Sequence, residues 1–358
     1  MKLLAAAVAV SLVLVGCSST DEPVASAQTC GPIPTVDLTQ PDGWIGQIPA
    51  LSETTGLVID NGRGTVVEHR PDAEQPLASA VKVVHLAAYA QAVAAGTLDP
   101  NEQIPIIDWE RWYAPGTDGG AHLAALQRLG IPNDGVGATD PSSTARLDDM
   151  VTAMVQESDN SVPDYLRYRL GDQALIDAAS TGGWSNFQVP TLVGTTLAAI
   201  NATHPTGDLW ELAQRFAFDT EFRQSYSASL VPASLSEQAA YLAANGPMGS
   251  AEQLTSMYRS IVTGSFGPGT DTMRRQLEWQ SPPDGFTAMG FKGGSLPGIL
   301  TQAFEFTRAD GTTATAVWLT SGLDPNDATA MANFGNQQQL IIDAVDDQDV
   351  LERIACVA

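Results

Sequence analysis

Ser79 and Lys82 are the residues whose types and spacing point most directly to chemistry. They lie in Pro76-Leu77-Ala78-Ser79-Ala80-Val81-Lys82, where an apolar run that reads as a helix begins at Val81 and continues to about Ala95. Three residues is close to one helical turn, so the hydroxyl and the amine share a face. A serine hydroxyl is a weak nucleophile until a neighbouring base takes its proton. A lysine kept neutral by burial can be that base, whereas an arginine does not lose its proton in a protein. In isolation, Ser-x-x-Lys is more often a helix-capping serine followed by a surface lysine.

The distribution of basic residues favours the chemical reading. The chain holds only Lys2, Lys82 and Lys292, so fourteen of the 17 Lys+Arg residues (17 minus 3) are arginines. Lys2 falls in a segment expected to be removed, which leaves two lysines in the mature chain. Where a bare positive charge suffices the sequence uses arginine, so these two positions need what lysine alone offers.

The elements that must position these residues alternate in character along the chain. Gly56–Asp60, Asn61-Gly62 and Arg63–His69 read as a β-hairpin with an Asn-Gly turn. Residues 100 to about 265 are mostly helical in pattern, broken by loop signals at Pro115–Gly120, Pro132–Pro141, Thr181–Pro190 and Gly246–Ser250. Strand patterns return at Thr287–Lys292, Gln302–Arg308 and Thr313–Thr320, and Asn326–Cys356 reads as helical. Strands at both ends with helices between them imply one sheet built from distant parts of the chain and interrupted by a helical lobe. No internal repeats occur.

Met1–Gly16 reads as an export signal, with Lys2 as its charged start and Leu3–Val15 as an apolar stretch interrupted only by Ser11. That stretch is too short to span a bilayer as a mature helix. It ends in Leu14-Val15-Gly16-Cys17, which resembles a bacterial lipobox; lipidation of Cys17 would tether the domain to a membrane. Residues 17–40 then read as a tether whose first part is small and polar. Export implies an oxidising compartment, where the two remaining cysteines, Cys30 and Cys356, are expected to form a disulfide. The four histidines, His69, His85, His122 and His204, show no ligand-like spacing, so no metal or cofactor is expected. Loss of Lys2 moves the formal charge from −24 to −25 (16 minus 41), which argues against nucleic acid and anionic lipid as partners.

Two further motifs sit where lobe and sheet are expected to meet: Ser158-Asp159-Asn160 and Lys292-Gly293-Gly294-Ser295. Each is weak alone. In the order Ser-x-x-Lys, Ser-Asp-Asn, Lys-(Thr/Ser/Gly)-Gly, the chain resembles the serine β-lactamase and penicillin-binding protein superfamily, most closely class A β-lactamases, over about residues 50–355. The resemblance implies an α/β (α+β) fold with an antiparallel sheet of about five strands, flanked by terminal helices. The domain is expected over residues 41–358, as a monomer, with its helical lobe at about 97–280.

The resemblance also implies roles. Ser79 is expected as nucleophile, Lys82 as general base or proton relay, Ser158 as a proton shuttle to the leaving nitrogen, and Lys292 as a source of positive field. Asn160 is expected to bind a substrate amide or Lys82. The backbone N–H groups of Ser79 and Ser295, beside Gly294, are expected to form an oxyanion hole.

Three departures from the family pattern stand out. Leu192–Ala199 occupies the distance at which class A enzymes carry a deacylating glutamate, and it contains no acid; Glu211, Glu221 and Glu237 are displaced candidates. Gly293 replaces the usual threonine or serine. No arginine follows Lys292 at about ten residues, since Arg308 is sixteen on. The expected activity is acyl-enzyme formation on Ser79 with β-lactam-like amides or esters, using a small-molecule or cell-wall peptide substrate. A D-alanyl-D-alanine peptidase or transpeptidase and a non-catalytic envelope-binding lipoprotein are the alternatives.

Overall fold

Strands from both ends of the chain pair into one antiparallel sheet. The computed structural model describes residues 30–358, within which Pro32–Ala358 is a compact unit. The strands are β1 (Thr55–Asp60), β2 (Val66–His69), β3 (Phe286–Phe291), β4 (Gly294–Leu296), β5 (Ile299–Arg308) and β6 (Thr313–Ser321). Their order is β2-β1-β6-β5-β3, and β4 pairs with β5 at Ser295↔Leu300. The first strand is therefore held by the last, Leu57 opposite Trp318.

The period of two sorts the side chains between two cores. Leu57, Ile59, Phe304, Phe306, Ala316 and Trp318 face the terminal helices Pro41–Ala50, Phe334–Asp346 and Gln348–Ala355. Val58, Ala303, Val317 and Leu319 face the helical lobe. Helix Ala251–Val262 lies on that second face, started by a Ser250/Gln253 capping box and burying Leu254, Tyr258 and Ile261. Helix Lys82–Ala94 is apolar nearly all round, because it runs through the lobe rather than over it.

The structure refines several expectations. The sheet has six strands rather than about five. The Asn-Gly turn is a longer loop over residues 61–65, because the Asn61 side chain accepts from the N–H groups of Arg63 (2.8 Å) and Thr65 (3.2 Å) and winds the chain further before pairing resumes. The lobe is not wholly helical: Gln103–Pro105 pairs with Thr144–Arg146. Cys30 and Cys356 are both disulfide-bonded, as expected. Cys17, the export signal and residues 17–29 of the tether lie outside the described residues. Among the described residues no helix is long and apolar enough to cross a membrane.

Trp44 is fully buried between the first helix and the sheet, and its indole donates to Leu38 O at 3.1 Å. Trp44→Ala is expected to cost about 3–5 kcal/mol, as for other buried tryptophans. Urea denaturation checks this as a lower midpoint at unchanged slope; a cost below about 1 kcal/mol would contradict the packing described.

Candidate active site

The turn Ala78–Val81 delivers Ser79 and leads directly into helix Lys82–Ala94. Ala78 holds φ +48, a left-handed conformation rare for a residue with a Cβ, and the turn is fixed from two sides. Leu77 N donates to Pro247 O at 2.8 Å, and Thr301 Oγ1 lies 2.9 Å from Leu77 O and 3.2 Å from Gly294 O. Strand β4 thus runs against the nucleophile turn. A Cβ at position 294 would stand 2.4 Å from Ser79 N, so only glycine permits this approach.

Helix Leu147–Gln156 ends just before Ser158, which adopts φ +69. Asp159 fixes this turn. Its Oδ1 accepts from the N–H groups of Ser161 (2.8 Å) and Val162 (3.1 Å) at the start of helix Ser161–Leu170, and from the Ser161 hydroxyl. Its Oδ2 meets His122 Nδ1 at 2.7 Å. The other ring nitrogen, Nε2, lies 3.2 Å from Glu110 Oε1. Burial opposes a charge on His122, yet the two carboxylates outweigh it and raise the imidazole to about 9. Burial likewise pushes Asp159 up, but His122 and Ser161 hold its carboxyl below the usual range. Sequence spacing gave no signal for His122, because 37 residues separate it from Asp159.

These supports converge on Lys82. Its Nζ lies 3.0 Å from Ser79 Oγ, 2.6 Å from Ser158 O, 2.6 Å from Asn160 Oδ1 and 3.2 Å from Ser158 Oγ. Lys292 Nζ reaches the same Ser158 Oγ at 3.0 Å and donates to Gly293 O at 2.7 Å. Two amines therefore share one hydroxyl. Lys82 is 1% exposed and Lys292 4%. Burial pulls Lys82 down from 10.5 to about 7, against the attraction of Asp159, Asp118 and Asp164. That shift corresponds to about 5 kcal/mol in favour of the neutral amine. Burial, and then the charge of Lys82, also hold Lys292 well below its usual value.

A neutral amine has two N–H groups and one lone pair. Ser158 O and Asn160 Oδ1 can only accept, so they claim both N–H groups of Lys82. The lone pair is then left for the Ser79 hydroxyl. The arrangement can take a proton from Ser79 and pass it toward Ser158.

The site opens into a cleft of about 720 Å³ lined by Ser79, Ser158, Asn160, Lys292, Gly294 and Ser295. The structure therefore brings together every residue of the three sequence motifs. Glu211, Glu221 and Glu237 are exposed and do not line the cleft. Two carboxylates do line it, and both have other partners. Asp118 accepts from Gly120 N and His122 N, and Glu157 pairs with Arg128 at 2.6 Å. Helix Leu192–Ile200 forms one wall, anchored by the buried Asp164, which accepts from Val193 N at 2.6 Å and Leu192 N at 3.1 Å. Phe291 explains Gly293: a Cβ there would meet the Phe291 ring at 2.7 Å. His85 is fully buried on the Lys82 helix and does not line the cleft. Among the described residues no cluster of His, Cys, Asp and Glu could hold a metal.

Comparison with known proteins supplies the family. Residues 49–266, more than half of the chain, match a family model described as the beta-lactamase enzyme family. No curated protein matches the sequence. Among solved structures, a beta-lactamase from Sphaerobacter thermophilus is 17% identical with a TM-score of 0.56, over 84% of this chain and 96% of that one. PBP-A is 15% identical with a TM-score of 0.51, over 82% and 93%. A beta-lactamase from Chitinophaga pinensis is 14% identical with a TM-score of 0.53, over 85% and 98%. At these identities the likeness is one of fold; with the family match and the order of the three motifs, the chain belongs to the serine β-lactamase and penicillin-binding protein superfamily.

Proposed function

We propose that this protein is an exported serine acyl hydrolase that forms an acyl-enzyme on Ser79. The observation that carries the reading is the 3.0 Å approach of Lys82 Nζ to Ser79 Oγ, with its N–H groups claimed by Ser158 O and Asn160 Oδ1. Ser79 Oγ attacks the acyl carbonyl while Lys82 takes its proton. The Ser158 hydroxyl, within reach of both amines, relays a proton to the departing nitrogen or oxygen. Ser79 N–H, at the start of a helical turn, and Ser295 N–H on the adjoining strand stabilise the oxyanion. Export and lipidation at Cys17 rest on the sequence, and they put the activity outside the cytoplasm on a membrane anchor.

The acyl-enzyme is long-lived in this reading. The wall helix Leu192–Ile200 carries no carboxylate, and Glu211, Glu221 and Glu237 lie outside the cleft, so none of these positions a hydrolytic water against the ester. This favours a second reading, a penicillin-binding peptidase or transpeptidase. PBP-A is among the structural neighbours, and a point mutant of it is recorded as an acyl-enzyme complex with penicillin G.

Intact mass after exposure to penicillin G separates the two. A persistent adduct that is lost in Ser79→Ala supports slow deacylation and the penicillin-binding role. Consumption of the drug without an adduct supports turnover. Neither outcome with any acylating probe would sink the nucleophile. Lys82→Arg keeps a charge but offers no base, so adduct formation is expected to fall by at least about a hundredfold. An active Lys82→Arg enzyme would contradict the role given to Lys82. Because Lys82 must be neutral and is held at about 7, the acylation rate is expected to fall about tenfold per pH unit below 7 and to level off above it. Stopped-flow acylation between pH 5 and 9 checks the sign; a rate that rises on acidification would contradict it.

A further inference from the structure

Charge is unevenly available in the cleft. Among the charged residues lining it, Lys292 is the single cation, and it is 4% exposed with its amine turned to Ser158 Oγ and Gly293 O. Asp118 and Glu157 are the anions. The charge of Glu157 is matched by Arg128 at 2.6 Å, whereas the Asp118 carboxylate accepts only from backbone N–H groups. The segment outside the described residues adds no arginine, and the whole chain carries −24. An anionic group entering this cleft meets no fork of donors and a net negative field.

Apolar side chains line part of the cleft, interspersed with Thr195, Thr196 and Gln238. Leu192 and Ile200, from the helix anchored by Asp164, face the cleft together with Leu242 of helix Leu235–Asn245. Leu242 packs with Ala78 and Ile299, so this wall abuts the nucleophile turn itself. Two aromatics, Trp279 and Phe334, also line the cleft and are 46% and 44% exposed. Large exposed apolar side chains lining a cavity mark a surface that a ligand covers.

We propose that the substrate is an uncharged ester whose acyl part is an apolar chain or ring, rather than a carboxylate-bearing β-lactam. This rests on Ser79 being the nucleophile and names what it acts on. The acyl chain lies against Leu192, Ile200 and Leu242. In the reaction the Ser79 Oγ–carbonyl bond forms and the ester carbon–oxygen bond breaks. The Ser79 proton passes through Lys82 and Ser158 to the departing alkoxide, which leaves as an alcohol. Water later releases the carboxylic acid, which the negative field expels.

The test compares Ser79 acylation by penicillin G with that by its methyl ester, and by p-nitrophenyl esters from acetate to octanoate. The methyl ester is expected to acylate about tenfold faster than the acid or more. Each added methylene is expected to raise kcat/KM about two- to fourfold until the wall is filled. Asp118→Asn is expected to narrow the gap between acid and methyl ester, a ratio that general loss of activity does not move. Equal or faster acylation by the free acid, or p-nitrophenyl rates independent of chain length, would overturn the substrate assignment while leaving Ser79 as nucleophile. Failure of every probe to modify Ser79 would overturn the nucleophile and the assignment with it.

Discussion

The site depends on one amine held without its charge. Lys82 is enclosed, and the cost of ionising it there outweighs the pull of three nearby carboxylates. The rest of the architecture supplies what that state requires. Ser158 bends into a left-handed conformation, so that its carbonyl and its hydroxyl both reach Lys82. Asn160 turns its oxygen to the same amine. Backbone strain of this kind persists only where surrounding structure fixes it. Here the fixing group is Asp159, locked in turn by His122 and the helix that follows.

The second requirement is that lobe and sheet keep a constant distance, because Ser79 belongs to one and Gly294 and Ser295 to the other. Thr301 bridges them with a single hydroxyl, and Gly294 lets the two backbones touch. The sheet that carries Gly294 is closed by pairing β1 with β6, which ties the first strand to the last. Terminal helices pack behind it, away from the cleft. The cleft face is thus free to carry a wall from the helices after Asp164 without disturbing the catalytic layer.

Much of this was legible in the sequence because it rests on local spacing. Ser79 and Lys82 are three residues apart, and the scarcity of lysine singled out Lys82 and Lys292. Period-two runs located the long strands to within a few residues. What was not legible depends on distant contacts. His122 and Thr301 support the site across 37 and 224 residues of chain, measured to Asp159 and Leu77, and Glu110 reaches it only through His122; no spacing marks them. The Asn61 turn ran longer than two residues because a side chain captured backbone donors that the dipeptide alone did not reveal. Gly293 stands where the resemblance implies threonine or serine, and the structure gives it a steric reason in Phe291.

The scarcity of lysine also makes the central claim directly measurable. Lysine labelled with 13C at Cε introduces at most three signals, and comparison with Lys82→Arg identifies the one from Lys82. Following that signal by NMR between pH 5 and 11 reads the protonation of Lys82 itself. A midpoint near 7 is the result this account predicts. A midpoint near the ordinary value of 10.5 would mean that Lys82 stays charged beside Ser79, and the mechanism built on its lone pair would be wrong.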